Sequence, residues 1–360
     1  MRIGIDGSRA FLAQRTGIEE YSYQVIKHLV NKLEGHEVIL YVKKNQSVDF
    51  ELPGSWKIKV IGLKYLWTQV GLSYEMLCHP VNTLFIPAHT VPIIHSKNTV
   101  VAIHGLEYEF VPAAYSLWAR LYMRATIRMS CQWAKKIISV SENTKKDLMA
   151  LYRVAEDKIQ VVYEGYSGKF QSNLNDQISK PFMLFVGRLE ERKNIVGIIK
   201  SFEILKEHYK ITHRLILAGK FGYGAEKIQE ELKNTNCGKD IILPGFVSEE
   251  EKWKLLKDAD VFLFPTFYEG FGIPILEAQS VGCPVVASNN SSVPEIAGVE
   301  TDCNPSLLLV DPLSAEAIAD VAYKLLSDKT LRDDIIQKGY ENVKRFSWEK
   351  CAAEIAEVLK

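Results

Sequence analysis

The sequence predicts an α/β protein built from two parallel-sheet domains that face a cleft. Short β-branched and apolar runs alternate with helical patterns, first over residues 2–163 and again from residue 182. This alternation is typical of parallel βαβ units. A polar segment at 171–180, rich in Asn and Ser, separates the two series and is the predicted linker. The length of 360 residues agrees with two domains at about 150 residues each.

The first half begins with a predicted strand at 2–6 and a loop that ends at Gly17. A helix follows, because apolar side chains recur on one face at Tyr21, Val25, Leu29 and Leu33. Ser141 is the predicted N-cap of a later helix, since its hydroxyl can accept a hydrogen bond from the helix. Further strands are predicted at 38–42, 99–104, 137–140 and 159–163.

The second half repeats the alternation of predicted strands and helices. Helices are predicted from Asn194, near Ala225, and from Ser314 to the end. Predicted strands lie at 182–186, 215–218, 241–243, 261–264, 284–287 and 307–310. Two Rossmann-like domains result, and open parallel sheets bind ligands at the carboxyl ends of their strands.

Composition excludes several classes of protein. Lys+Arg 44 against Asp+Glu 44 gives zero formal net charge, which excludes a globally basic nucleic-acid binder. No apolar run approaches the ~20 residues of a membrane span, and no signal peptide is expected. We therefore expect a soluble cytoplasmic protein. No CxxC motif occurs, so we expect reduced core thiols at Cys78, Cys131, Cys237, Cys283, Cys303 and Cys351.

Residues 264–277 carry a dense set of candidate site residues. A buried strand is followed by a Gly-containing loop at 269–272, and Pro274 stands where the first turn of a helix favours proline. Loop amides and a helix N-terminus suit oxygen-rich anionic ligands. Glu269 and Glu277 would then accept hydrogen bonds from sugar or ribose hydroxyls. The alternative is a Glu favourably placed near a helix start and an unrelated loop Glu.

Two cations flank the loop after the predicted strand at 182–186. Arg188 and Lys193 stand at the carboxyl edge of a sheet, where a diphosphate would bind. The alternative is a solvated charged loop, which is the usual fate of such a run.

Together these segments resemble the retaining GT-B glycosyltransferases of family 4, in particular bacterial mannosyltransferase-like members of this group 1 class. The matching stretches include GRLEERKN, LILAGK, LPGFVSEEE, LLLVDP and the Glu-x7-Glu pattern within ADVFLFPTFYEGFGIPILEAQ. The resemblance implies a GT-B fold. It further implies an acceptor-binding domain at 1–175, a nucleotide-sugar-binding domain at 176–345, and a C-terminal helix at 346–360 that crosses back to the first domain.

The resemblance also implies residue roles. Glu277 would hold the donor ribose and Glu269 the donor sugar, and His104 would lie beside that sugar. Arg188 and Lys193 would bind the diphosphate. The implied catalytic residues are thus His104, Glu269, Arg188 and Lys193, and further donor-binding positions are Gly17, Gly245, Phe246, Val247, Gly270, Phe271, Gly272 and Ile273.

Some residues depart from the family pattern or imitate another one. Gly105 follows His104 where many relatives have Asp, and Thr266 stands where Ser is common. Asp258 and Asp260 form a DxD, the spacing that holds a divalent cation in another glycosyltransferase fold. Because this DxD precedes its strand, we expect it to lie away from the ligand edge and to be structural.

The sequence therefore predicts a metal-independent, retaining glycosyltransferase without a cofactor. It would transfer a hexose from a nucleotide diphosphate sugar to a glycan or lipid-linked acceptor. The first choice of donor is GDP-mannose, which supplies mannose. The alternatives are a nucleotide-sugar epimerase of the same architecture, whose product is an isomerised donor, and a non-catalytic sugar-nucleotide-binding protein.

A cationic pattern on a predicted helix points to a second partner. Arg120, Arg124 and Arg128 repeat every four residues beside Trp118 and Tyr122. Such a stripe could rest on the anionic headgroups of the inner face of a membrane. The alternative is a solvated helix face, or arginines that pair with acidic groups elsewhere.

Overall fold

The computed structural model describes residues 1–168, 181–298 and 305–360. These form two compact units. The first comprises Met1–Leu106, Trp118–Gly165 and Phe346–Lys360, and the second comprises Glu107–Leu117 and Tyr166–Arg345. Residues 107–117, which the sequence analysis assigned to the first domain, thus group with the second unit. The predicted linker at 171–180 and the boundary after residue 175 lie outside the described residues.

The first unit contains a wholly parallel sheet. Its strands are β1 (Arg2–Asp6), β2 (Glu37–Lys43), β3 (Trp56–Ile61), β4 (Thr83–Ile86), β5 (Asn98–Ile103), β6 (Lys136–Ser139) and β7 (Ile159–Val161). Their order in the sheet is β3-β2-β1-β4-β5-β6-β7. The sequence analysis did not predict β3 and β4.

The second unit contains a parallel sheet of the same kind. Its strands are β8 (Phe182–Val186), β9 (Arg214–Ala218), β10 (Ile241–Gly245), β11 (Val261–Phe264), β12 (Val285–Ser288) and β13 (Leu308–Val310). The order β10-β9-β8-β11-β12-β13 reverses between β8 and β11, just as the first sheet reverses between β1 and β4. Both units are therefore Rossmann-like, and ligands bind such sheets at the reversal.

Helices cover the sheets, and some of them begin at capping residues that can be recognised in the sequence. They are α1 (Gly17–Leu29), α2 (Ser73–Cys78), α3 (Glu107–Phe110), α4 (Leu117–Trp133), α5 (Glu142–Tyr152), α6 (Ile195–Glu207), α7 (Glu226–Asn234), α8 (Glu249–Asp258), α9 (Ile273–Ser280), α10 (Val293–Ile296), α11 (Ala315–Ser327), α12 (Lys329–Val343) and α13 (Trp348–Leu359). The predicted cap is confirmed, because Ser141 Oγ accepts from the Thr144 amide at 3.0 Å. Asn194, in the left-handed conformation, caps α6 by accepting from Gly197.

The C-terminal helix α13 belongs to the first unit. The ring of Trp348 lies 6.0 Å from the ring of Tyr21 on α1. Gly165 passes so close that a Cβ there would stand 2.2 Å from the Trp348 nitrogen. Only glycine allows the chain to leave the first unit along this path.

Most cysteines of the described residues are buried, as predicted. Cys78 is exposed, so the expectation of a core thiol is wrong there, while Cys131, Cys237, Cys283 and Cys351 are buried. Cys303 lies outside the described residues. Across residues 1–168, 181–298 and 305–360, no helix is long and apolar enough to cross a bilayer.

Candidate active site

Arg188 lies at the carboxyl end of β8, in the loop that leads to α6. The β9 loop approaches so closely that a Cβ on Gly219 would stand 1.8 Å from the Gly187 carbonyl oxygen. This contact holds the two strand ends together and requires glycine. The Arg188 side chain is exposed, and no described residue forms an ion pair with it. Its guanidinium is therefore available to an anionic ligand.

Lys193 and Glu269, which the sequence places on separate loops, meet in one buried ion cluster. Lys193 Nζ donates to Glu269 Oε1. Arg192 Nη1 donates to the same oxygen at 3.0 Å, and Arg192 Nη2 donates to Glu190 at 2.9 Å. Burial and the Arg192 charge lower the pKa of Lys193, although Glu269 opposes that shift. Two fixed cations thus hold one buried carboxylate in a single orientation.

The cluster determines what Glu269 can do chemically. Its backbone N–H donates to Ser291 Oγ at 3.0 Å, which fixes the loop as well as the side chain. A carboxylate whose charge is balanced by Lys193 and Arg192 is a weak nucleophile but a well-positioned hydrogen-bond acceptor. This suits recognition of a hydroxyl group.

Glu277 lies on α9 and forms a second ion pair, which is half-buried. Its Oε1 accepts from Lys252 Nζ on α8 at 2.9 Å, and Lys252 also reaches Glu249 at 2.8 Å. Burial opposes the charge of Lys252, yet these two carboxylates raise its pKa. Lys252 therefore stays cationic and orients Glu277.

The loop between β11 and α9 leads directly into the N-terminus of that helix. Gly272 adopts φ +114° and ends the loop directly before α9, with Ile273 and Pro274 in the first turn. Ser292 Oγ donates to the carbonyls of Glu269 and Phe271 at 3.0 and 2.8 Å, so the loop from Glu269 through Gly270 is fixed from behind. A helix N-terminus with a rigid preceding loop favours oxygen ligands.

The turn after β10 exposes an aromatic ring. Gly245 has φ +78° and its carbonyl accepts from the Gly219 amide at 2.8 Å, which sets this turn beside the β9 loop. Phe246 is half exposed, and Lys220 Nζ lies 4.9 Å from its ring centroid. Phe246 and the adjacent Val247 thus stand at the same carboxyl edge as Arg188.

His104 follows β5 in the first unit and is held at both ring nitrogens. Nδ1 lies 3.0 Å from Glu164 Oε1, and Nε2 lies 2.8 Å from the Pro87 carbonyl oxygen. The rings of Tyr21 and His89 pack edge-on against it at 4.4 and 5.1 Å. Since a carbonyl only accepts, Nε2 is the donor to Pro87, and Nδ1 faces the Glu164 carboxylate.

Gly17 and the DxD behave differently from the other predicted site residues. Gly17 opens α1 with φ +21°, and an added Cβ would meet no atom within 4 Å, so no close approach to the chain explains it. Asp260 precedes β11 and binds Arg332 at 3.2 Å and His213 at 3.5 Å. Burial would raise its pKa, but the hydrogen bond from His213 and the Arg332 charge lower it. Asp260 is a structural ion-pair residue, and Asp258 ends α8.

The structure therefore groups Arg188, Lys193 and Glu269 at the carboxyl ends of β8 and β11, with Glu277 further along α9. His104 and Gly17 lie in the other unit. The sequence analysis missed three charged partners: Arg192, Lys252 and Glu164. Only Arg192 had a signal, since it directly precedes Lys193 in the charged run.

Comparisons with known proteins agree with this architecture. Residues 169–342 match the family described as Glycosyl transferases group 1, and residues 15–167 match Glycosyltransferase Family 4. The chain is 29% identical to O-antigen chain mannosyltransferase B of Escherichia coli, with 96% of each chain covered. It is 27% identical to O-antigen chain mannosyltransferase RfbU of Salmonella typhimurium over 56% of this chain and 54% of that one.

Solved structures share the fold at lower identity. WaaG, a glycosyltransferase involved in lipopolysaccharide biosynthesis, superposes with a TM-score of 0.74 at 15% identity, covering 99% of both chains. Sucrose-phosphate synthase from Thermosynechococcus elongatus gives a TM-score of 0.77 at 18% identity, covering 99% of this chain and 97% of that one. The two Rossmann-like units have the GT-B fold, and the chain belongs to the group 1, family 4 glycosyltransferases, a family of transferase enzymes.

Proposed function

We propose that this glycosyltransferase moves mannose from GDP-mannose to a glycan or lipid-linked acceptor with retention of the anomeric configuration. The mannosyltransferases among its relatives support the choice of sugar. The observation that carries the proposal is the Glu269 carboxylate fixed by Lys193 and Arg192, with the exposed Arg188 at the carboxyl end of β8, the strand that neighbours β11. A sugar diphosphate needs this combination of a hydroxyl acceptor and nearby cations.

The donor would lie along the carboxyl edge of the second sheet. Glu269 and the amides of Phe271 and Gly272 would contact the sugar hydroxyls, and Arg188 with Lys193 would bind the diphosphate. Glu277 would accept the ribose hydroxyls. The turn at 245–247 would approach the base.

The anomeric configuration would be retained because the acceptor oxygen and the leaving phosphate oxygen would lie on the same face of the sugar. The acceptor oxygen attacks the anomeric carbon from the face that the diphosphate leaves, and the bonding electrons pass to the leaving phosphate oxygen. The β-phosphate then takes the acceptor proton. A covalent route needs a free carboxylate beneath the anomeric carbon, and Glu269 is committed to two cations. Fixed cations stabilise the charge that develops on the diphosphate, so no metal ion or other cofactor is required by this proposal.

Donor cleavage in EDTA tests the donor, the stereochemistry and the metal independence together. With GDP-mannose and water as the only acceptor, we expect slow release of mannose that NMR detects first as the α anomer. EDTA should leave the rate unchanged. UDP-glucose and ADP-glucose should be cleaved at least about tenfold more slowly, a 1.4 kcal/mol difference in transition-state binding. Initial β-mannose, metal dependence or an isomerised GDP-sugar would contradict the proposal, the last indicating an epimerase.

Glu164 is expected to position His104 for catalysis. We expect Glu164→Gln to lower kcat by about tenfold or more, since small displacements of a catalytic group are costly. The KM for GDP-mannose should change little, and Glu164→Asp should recover part of kcat. Glu357→Gln, on the same unit but exposed, serves as the control. An unchanged kcat in Glu164→Gln would return this carboxylate to a purely structural role.

The acceptor would be reached from the cytoplasmic side. If it is lipid-linked, the predicted peripheral contact through Arg120, Arg124 and Arg128 would keep the enzyme near its substrate. All three arginines lie on α4, as predicted.

A further inference from the structure

Helix α4 presents an apolar face rather than a stripe of free arginines. Arg128 is exposed, with its guanidinium 5.2 Å from the ring of Tyr152, while Arg120 and Arg124 are half-buried. The most exposed large apolar side chain of α4 is that of Trp118, at 81%. The same face continues through Leu121, Tyr122 and Met129.

A second exposed apolar ridge lies in the segment that joins β3 to β4. A π-helical turn at Trp67–Leu72 runs directly into α2. Its inner side is buried through Trp67, Leu72 and Met76, yet its outer side exposes Leu66, Val70, Tyr74 and Leu77. A helix that is apolar on both sides is normally buried on both. Here the outer side faces solvent, with Tyr74 at 65% exposure.

The loop at 91–95 joins the ridge to α4. The Val91 amide donates to Ser130 Oγ on α4 at 2.9 Å, and the Ile94 amide donates to Ser73 Oγ on α2 at 3.2 Å. The ring of His95 stacks on Trp133 at 5.6 Å. Ile93 and Ile94 are themselves exposed. The loop therefore contacts both α4 and the ridge, and the exposed side chains of these three neighbouring segments of the first unit are together called here the acid-free face.

Charge on the acid-free face is of one sign although the whole chain is neutral. Residues 52–106 contain a single acidic residue, Glu75, and residues 110–141 contain none. Glu75 is buried and paired with Lys59 and His79, each at 3.3 Å. Exposed cations remain at Lys64, Lys97 and Arg128.

We propose that the acid-free face docks on the surface of an anionic lipid bilayer, with Trp118, Tyr74 and their apolar neighbours in the headgroup region. Tryptophan and tyrosine favour that region, where one end of the ring is apolar and the other is hydrated. Anionic headgroups attract the surrounding cations. A second copy of the chain fits less well, because a symmetric contact would bring two cationic faces together. This inference rests on the membrane contact of the proposed function, which it moves from the three arginines of α4 to the acid-free face, and it needs neither donor nor acceptor.

Vesicle flotation of the full chain tests the docking surface. The probes are phosphatidylcholine vesicles with and without phosphatidylglycerol. We expect binding to the anionic vesicles only, weakened by 0.5 M KCl. Trp118→Glu and Tyr74→Glu should each lower the partition coefficient by at least about tenfold. Leu313→Glu is the matched control, because Leu313 is 82% exposed in the second unit.

The other outcomes each overturn the proposal. These are an absence of binding to anionic vesicles, binding that survives both substitutions, and an equal loss in Leu313→Glu. A concentration-dependent dimer that Trp118→Glu abolishes, without vesicle binding, would assign the face to a second copy of the chain. Cleavage of GDP-mannose in the absence of vesicles is expected to be unchanged in all three variants. Loss of docking is therefore distinguishable from loss of the transferase.

Discussion

Replacing Arg188 with alanine is expected to lower kcat by at least about 100-fold and to change the free energy of unfolding by no more than about 0.5 kcal/mol. The guanidinium stands at the carboxyl end of β8, is exposed, and forms no ion pair with the described residues. The fold therefore does not depend on it. The leaving diphosphate gains charge in the transition state, so a fixed cation acts there more strongly than on bound substrate.

Arg214→Ala provides the matched control for Arg188→Ala. Arg214 begins β9, so it lies at the amino end of that strand, away from the carboxyl ends where Arg188 lies. We expect steady-state kinetics to show the loss in Arg188→Ala alone, while urea unfolding gives similar stabilities for both variants and the wild type. A kcat near that of the wild type in Arg188→Ala would make Arg188 a solvated loop residue.

Lys193 and Arg192 would give a less decisive experiment than Arg188. Lys193 is buried and Arg192 half-buried against the buried Glu269, and removal of one partner from a buried ion pair costs about 3–5 kcal/mol of stability. A loss of activity in either alanine variant would therefore mix catalysis with misfolding. The exposed cation separates the two effects.

Most strands with buried apolar side chains could be predicted from the sequence, whereas the charged edge strand β3 could not. The predicted bounds of β1, β8 and β11 agree with the structure, because RIGID, FMLFV and VFLF are short runs with mostly buried side chains. The strand β3 has the sequence WKIKVI and lies at the sheet edge with four exposed residues. Its two lysines interrupt the apolar pattern that would predict a strand. The strand β4, TLFI, is as short and as buried as β11, so the local pattern does not explain why only β11 was predicted.

Some residues of the candidate site could also be predicted from the sequence, and others could not. Arg188, Lys193, Glu269 and Glu277 follow strand ends, so a strand prediction places them at the ligand edge without any tertiary information. Their partners depend on the folded chain. Arg192 meets Glu269 across 77 residues of sequence, and His104 meets Glu164 across 60. Such pairings arise from sheet order, which periodicity alone does not specify.

Glu277→Ala is expected to weaken GDP binding by at least about 100-fold. Two ribose hydroxyls donating to one carboxylate would contribute roughly 1.5–3 kcal/mol each, and both hydrogen bonds are lost. Lys252, whose pKa the neighbouring carboxylates raise, orients the Glu277 carboxylate before the nucleotide arrives. Isothermal titration with GDP measures the loss, and 2′,3′-dideoxy-GDP is the ligand control. The variant should bind the dideoxy nucleotide as weakly as the wild type does.

The double variant Lys252→Met, Glu277→Ala separates ribose binding from structure. Glu277→Ala alone leaves the half-buried Lys252 with Glu249 as its remaining carboxylate, which itself destabilises the site. Removing both charges eliminates that defect, so the melting temperature should recover towards the wild-type value. If Glu277 binds ribose, GDP affinity stays at least about 100-fold weaker in the double variant, because no acceptor replaces the carboxylate. If Glu277 serves only as the partner of Lys252, the double variant regains wild-type affinity, and the ribose assignment is wrong.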